Sequence, residues 1–173
     1  METNLRTKEF SYLRADMKTI LIVVGKTTDA RMQQLEEEYI KRVNHYMPFE
    51  MEVIPKLKNT ATLSEDQQKE QEMLLIKKRL MPGDTLVLLD EHGKEPRSVE
   101  LAAWFKKKQN VVNKRLVFLV GGPYGFHEEL YRMAQEKLSL SRLTFSHQMI
   151  RMLFCEQVYR AMTILSGEPY HHE

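Results

Sequence analysis

The sequence predicts an α/β fold with a mostly parallel sheet and helices on both faces. Three observations carry this: apolar, β-branched runs at Lys18–Val24 and at residues 85–89 and 116–120, helical stretches of a dozen or more residues between strands, and glycine-bearing turns at strand ends. Strands joined through helices of that length pair in parallel by right-handed crossovers. At 173 residues the chain is one domain's worth. Its 42% hydrophobic and 29% charged composition is that of a soluble globular protein.

Each element has a local reason. Lys18–Val24 reads as a buried strand ended by Gly25. Thr28 or Asp29 caps a helix running to about Asn44, with Met32, Leu35, Tyr39, Ile40 and Val43 as its apolar stripe. Phe49–Ile54 alternates apolar and acidic residues, as a half-exposed edge strand does, and Pro55 closes it. Ser64 begins a helix through Leu80 that Met81, Pro82 and Gly83 stop. The strand at 85–89 leads into Asp90-Glu91-His92-Gly93, which reads as a turn. Ser98 caps a helix to about Gln109 that carries the single tryptophan, Trp104. The strand at 116–120 runs into Gly121-Gly122-Pro123-Tyr124-Gly125, and a short helix follows at 127–137. A last helix spans His147 to about Leu165. Residues 1–16 show neither period. Met17 opens a start-like MKTILIVVGK, so 1–16 read as a dispensable extension and 17–173 as the domain.

Composition narrows the function. The net charge is only +2, but residues 91–173 carry 12 basic against 9 acidic side chains and five of the six histidines. That half permits an anionic partner without demanding one. One cysteine, Cys155, excludes a disulfide framework and multi-cysteine metal sites, and no metal is expected. No apolar run is long enough to cross a bilayer, so a cytoplasmic protein with no membrane partner is expected.

Several motifs fail. Gly25-Lys26-Thr27 ends like a P-loop, but Ile20 stands where the first glycine should be. His127-Glu128 starts like a zinc-protease helix, but Tyr131 replaces the second histidine. Cys155 follows Phe154 in an apolar helix and reads as an inert buried thiol. The Lys106-Lys107-Lys108 run reads as a solvated helix end.

What remains clusters late in the chain. The loop Gly121-Gly122-Pro123-Tyr124-Gly125 follows a parallel strand, where open α/β sheets bind ligands, although on the loop alone a bare strand-to-helix connection is the better reading. Asp90 and Gly93 come to the same rim. The last helix is apolar nearly all round, which suggests a subunit interface. Glu156 and Arg160 are spaced to pair. The chain ends in Pro169-Tyr170-His171-His172-Glu173, unusually rich in functional side chains for a terminus.

Together these residues resemble one family, the SPOUT-class ribosomal RNA large subunit methyltransferase H family of 23S rRNA pseudouridine N3-methyltransferases. The stretches that carry the likeness are MKTILIVVGK, MPFEMEVIP, LLDEHGK, LVGGPYG, LSLSRLTFSHQMIRMLFCEQVYRA and PYHHE, in order and spacing over residues 17–173. Tyr124 departs from the acid or small polar residue common there, and Ser146 from a frequent proline. The resemblance implies a C-terminal trefoil knot, a homodimer, and S-adenosyl-L-methionine bound at Leu89, Gly121, Leu140, Ser141, Arg142, Leu143, Thr144 and Phe145. It implies methylation of pseudouridine N3 in large-subunit ribosomal RNA on the assembled ribosome. Catalytic candidates are Tyr170 and His171, then His147, Arg151 and Glu156. The rival expectation is a non-enzymatic, ribosome-associated or flavodoxin-like nucleotide-binding module.

Overall fold

A computed structural model describes residues 17–172. The proposed extension, residues 1–16, and the terminal Glu173 lie outside the described residues. Five strands form one sheet: β1 (Lys18–Val24), β2 (Phe49–Ile54), β3 (Thr85–Lys94), β4 (Arg115–Val120) and β5 (Glu136–Leu138). Their order is β2-β1-β4-β3-β5 and every pairing is parallel. Among the described residues, five α-helices and a short 3-10 turn at Thr60–Thr62 accompany the sheet: α1 (Ala30–Val43), α2 (Glu65–Lys77), α3 (Ser98–Val111), α4 (Glu128–Met133) and α5 (His147–Leu165).

Both faces of β1 are buried, which explains its unbroken apolar run. Leu21 and Val23 join Phe118 and Val120 beneath α1, α3 and α5, where Val43, Phe105, Phe154 and Val158 close the core. Ile20 and Ile22 face the opposite layer with Val117 and Leu119, against Met73 and Ile76 of α2 and Leu130 of α4. The Phe118 and Phe154 rings lie 4.6 Å apart. Truncating either to alanine would cost about 3–5 kcal/mol.

The caps follow the sequence closely. The Asp29 carboxylate accepts from the Arg31 and Met32 amides at the start of α1. Ser64 and Gln67 form a reciprocal capping box on α2. At the end of α5, Gly167 takes φ +66°. Its amide donates to Ile164 and that of Glu168 donates to Thr163, the paired bonds of a Schellman turn.

Five expectations need correction. Residues 90–93 are strand, not turn: β3 runs on to Lys94, where the Ser139 amide donates to the Lys94 carbonyl. Ser98 is the first residue of α3 rather than its cap, and the Glu100 carboxylate receives the Arg97 amide instead. The helix expected over 127–137 is only six residues, because Glu136–Leu138 pairs with β3. α2 ends at Lys77, three residues short of Leu80. In α1, Leu35 is 40% exposed while Glu36 beside it is buried. The Thr27 hydroxyl donates to Glu36 at 2.7 Å, which holds the carboxylate inside.

Candidate functional site

Three chain segments meet at the carboxyl ends of β3 and β4 and enclose a cavity of about 720 Å³. The end of β3 contributes Leu89, Asp90, Glu91 and His92; the loop after β4 contributes Gly121 to Phe126; the segment after β5 contributes Leu138 through His147, except Arg142. Tyr131 and Ile150 complete the wall.

Much of this wall is main chain brought unusually close. A Cβ at Gly93 would lie 2.6–2.8 Å from backbone atoms of Leu138, so the crossing of β3 over β5 demands glycine. A Cβ at Gly121 would meet the Gly125 backbone at 3.3 Å. Gly125 itself has φ +79°, and its amide donates to the Gly122 carbonyl to tighten the loop. Gly122 is hemmed in from behind, since a Cβ there would lie 2.4 Å from the buried Glu72 carboxylate of α2. Across the cavity, serines shape the segment after β5. The Ser139 hydroxyl donates to the Ser141 carbonyl at 2.8 Å, and the Ser141 hydroxyl accepts from the Leu143 amide at 2.9 Å.

Three ionisable groups in the wall have shifted acidity; burial, then the hydrogen bond to Asp90, push the Tyr131 phenol upward. The Asp90 side chain is only 9% exposed. Burial pushes its carboxyl upward, but the Tyr131 hydroxyl at 2.5 Å and the His92 amide at 2.8 Å both donate to it and hold it below the usual carboxylate range. His147 is held below its ordinary value by burial, then by the nearby charges of Arg151 and Lys56, which favours the neutral imidazole. Asp90 and Glu91 are both acids, and among the described residues no lysine or arginine lines the cavity.

The expected site residues divide into three places. Leu89, Gly121, Leu140, Ser141, Leu143, Thr144, Phe145 and His147 all line the cavity. Arg142 turns outward and pairs with Glu95 at 3.2 Å. Arg151 is 1% exposed and lies beneath the end of β1, donating to the carbonyls of Val24 and Gly25 at 2.6 and 2.8 Å. That guanidinium satisfies strand-end acceptors, with Thr27 and Glu36 beside it.

The third group gathers at the other end of α5. The Tyr170 hydroxyl donates to Glu156 at 3.0 Å and lies 3.3 Å from the Tyr39 hydroxyl. Arg160 donates to Glu156 at 2.6 Å, contacts the His171 ring nitrogen at 3.4 Å and covers the Tyr170 ring. Burial, then these hydroxyl and carboxylate neighbours, push the Tyr170 phenol upward. His171 Nε2 is buried with no hydrogen-bond partner among the described residues. None of Tyr170, His171 and Glu156 lines the cavity of its own chain. Nine residues of α5 separate His147 from Glu156, about 13 Å of helix.

Sequence reading missed Tyr131, Ser139 and Ile150 as wall residues and Glu72 as the support behind Gly122. No short motif marks them, because each arrives from a different element. Asp90 carried a signal, as an acid at a strand's carboxyl end, but its partner Tyr131 could not be inferred.

The likeness to known proteins is extensive. A family model described as "Predicted SPOUT methyltransferase" matches residues 17–171. A Bacteroides thetaiotaomicron protein named "Ribosomal RNA large subunit methyltransferase H" is 61% identical over 157 residues, covering 91% of this chain and all of that one. Proteins of the same name from Porphyromonas gingivalis strain W83 and Flavobacterium johnsoniae are 54% and 51% identical over the same lengths and shares. Among solved structures, the "Probable Methyltransferase from Bordetella pertussis Tohama I" superposes with a TM-score of 0.52 at 9% identity, over 88% of this chain and 98% of that one. That likeness supports the fold alone. With the family model spanning nearly every described residue, the chain belongs to the SPOUT methyltransferase family.

Proposed function

We propose that this chain binds S-adenosyl-L-methionine in the cavity and methylates N3 of a pseudouridine in large-subunit ribosomal RNA, acting on the assembled ribosome. The observation that carries the cofactor reading is the cavity's character: a glycine loop, a serine-shaped segment, aromatic and aliphatic side chains, the acids Asp90 and Glu91, and no lysine or arginine among its described lining. A flavodoxin-like or nucleotide-binding module can hold phosphate on backbone amides and hydroxyls alone, but Asp90 and Glu91 in the wall would repel it. A cationic sulfonium suits that wall. The names of the relatives support ribosomal RNA as substrate.

In this reading the cofactor supplies the methyl group, and Leu89, Gly121 and the segment 140–145 hold it largely through backbone groups. The base must lose its N3 proton as the nitrogen takes the methyl carbon and the carbon–sulfur bond breaks. Neutral His147 is the residue of the cavity wall suited to accept a proton. Tyr170 and His171 reach a cavity only by another route, because their own lies about 13 Å along α5 from Glu156. A homodimer seated on the half-buried Met152 and Leu153 side of α5 would bring the tail of one chain to the cavity of the other. Arg151 serves this site by fixing α5 to β1, and Arg142 by facing the incoming RNA.

The knot belongs to the same proposal. The segment after β5 lines the cavity together with the extended end of β3 and the loop after β4 before entering α5, a proximity that supports a knotted path. Residues 17–173 are proposed as the working cytoplasmic domain, and deleting 1–16 is expected to leave melting temperature and turnover unchanged. Among the described residues no helix is long and apolar enough to cross a membrane.

Calorimetry with S-adenosylmethionine, FMN and ATP, followed by methyl transfer to assembled ribosomes and to a naked stem-loop, tests the proposal. Binding of the first ligand alone, with turnover on ribosomes and little on the stem-loop at physiological salt, is expected. A net charge of +2 gives weak, salt-sensitive attraction to free RNA. Tight FMN or ATP binding would overturn the cofactor reading, and efficient methylation of the stem-loop the ribosome requirement.

A further inference from the structure

The charge of the cavity wall says more than which ligand enters it. S-adenosylmethionine and its product S-adenosylhomocysteine share the adenosine and the amino-acid end. They differ by one methyl group and one positive charge, since transfer turns a sulfonium into a neutral thioether. A binding site built from neutral backbone groups would hold both about equally and would be slow to clear its product. Here the wall carries one desolvated carboxylate, Asp90, 9% exposed, and the more exposed Glu91 beside it.

Asp90 is fixed in place and still has acceptor capacity. Its Oδ1 accepts from the His92 amide and faces the His92 ring nitrogen at 3.3 Å, while its Oδ2 accepts from the Tyr131 hydroxyl and keeps a lone pair free. The amide and hydroxyl donors are neutral, and the His92 ring is 77% exposed, so its pairing is screened by solvent. No lysine or arginine among the described residues shares the cavity to cancel the charge. Asp90 is itself part of the wall of the space of about 720 Å³, so its charge acts on a sulfonium held there, and its low exposure limits screening.

We propose that Asp90 is a specificity-determining residue that makes the cavity prefer the positively charged methyl donor over its neutral product, so that methyl transfer itself weakens the product's hold. This rests on the reading of the cavity as the S-adenosylmethionine site. Asp90 takes no part in bond making; it sets the potential in which the sulfonium sits. As the charge disappears on transfer, the attraction disappears with it, and the product leaves a site whose hydrogen bonds are otherwise unchanged.

Three ligands and two variants test this on the full chain by calorimetry. The ligands are S-adenosylmethionine, S-adenosylhomocysteine, and an analogue in which a protonated amine stands for the sulfonium. Asp90→Asn is expected to weaken S-adenosylmethionine and the amine by about tenfold while changing S-adenosylhomocysteine by less than about twofold. Tyr131→Phe, which keeps the charge and removes one hydrogen bond, is expected to preserve the wild-type ratio of the three. Equal weakening of all three ligands in Asp90→Asn would overturn the proposal and make Asp90 a loop-ordering residue. An unchanged ratio would overturn it too. A wild-type chain that binds none of the three would instead remove the cofactor reading beneath it.

Discussion

The two ends of α5 are built from different materials. Around His147 and Ile150 the surroundings are main chain, with Gly93 against Leu138 and Gly121 against Gly125. Around Glu156 and Arg160 they are side chains: Tyr39, Tyr159, Tyr170 and His171 in rings and hydrogen bonds. A site of the first kind tolerates changes of chemistry and fails when a single carbon is added. A site of the second kind tolerates small changes of volume and fails when a hydroxyl or a charge is lost. Both kinds stand on one helix, which Arg151 anchors to β1 between them.

The largest effect is expected at the tightest backbone crossing. Gly93→Ala puts a Cβ within 2.6–2.8 Å of main-chain atoms that no rotamer can move. Destabilisation of about 3 kcal/mol or more and loss of S-adenosylmethionine binding should follow, read by thermal denaturation and calorimetry. A stable variant with normal binding would mean that β3 and β5 can part without consequence for the cavity. Gly121→Val should act more selectively. Its first carbon meets Gly125 at 3.3 Å, a contact that relaxes by a few tenths of an ångström. The fold should survive with a cost of about 1–2 kcal/mol, while a branched side chain in the wall abolishes cofactor binding. Retained affinity would displace Gly121 from the site.

Truncation after Gly167 breaks the other end. Cofactor binding should persist, and turnover on ribosomes should fall at least about a hundredfold, as expected when positioning is lost. The tail also has a structural cost: the Tyr170 ring lies 4.8 Å from that of Tyr159 and its hydroxyl is bonded to Glu156, so about 1–2 kcal/mol of stability goes with it. Mixing this truncation with full-length Gly121→Val chains separates cis from trans. Recovered activity in the heterodimer would place the tail over the partner's cavity; no recovery, with heterodimers formed, would place it over its own.

The contrast also explains what was legible in the sequence. β1 and β4, buried on both faces, announce themselves as unbroken apolar runs, and the glycines after β4 mark a tight loop at a strand's carboxyl end. The end of β3 does not, because Asp90-Glu91-His92-Gly93 has turn composition and becomes strand only beside β5, whose Glu136-Lys137-Leu138 is equally uninformative alone. Each is a strand because the other is there. Glu36 and Arg151 escaped for a similar reason. A helical period places Leu35 inside, yet Glu36 is buried because Thr27 donates to it and Arg151 lies nearby. The residues that the resemblance implies for the cofactor line the cavity, Arg142 apart, but the folding of the tail onto its own α1 and α5 is a side-chain arrangement with no sequence period.

The smallest expected effect sharpens the contrast, because it concerns a side chain that serves the backbone-built end. Glu72 is 8% exposed behind Gly122 and forms no hydrogen bond among the described residues. Burial raises its carboxyl above the ordinary value of 4.5, and the charge of Lys56 offsets this only in part. A raised acidity constant in the folded state means that the native chain holds the proton more tightly than the unfolded one. Its contribution to stability is therefore full below about pH 4.5 and is lost as pH rises through the folded value. At neutral pH the buried charge is a net cost. Glu72→Gln, with the same shape and no charge, should raise stability at pH 7 by up to about 1 kcal/mol, and the gain should vanish on acidification towards pH 4. Denaturant titrations of both proteins across that range would check it. A glutamine variant less stable at pH 7 would show that the carboxylate is paid for by Lys56 after all. Gly122→Ala supplies the independent reading: it should harm cofactor binding in the wild type, where its Cβ meets the carboxylate at 2.4 Å, and much less in a Glu72→Ala background. Equal harm in both would locate the constraint on Gly122 in the cavity rather than behind it.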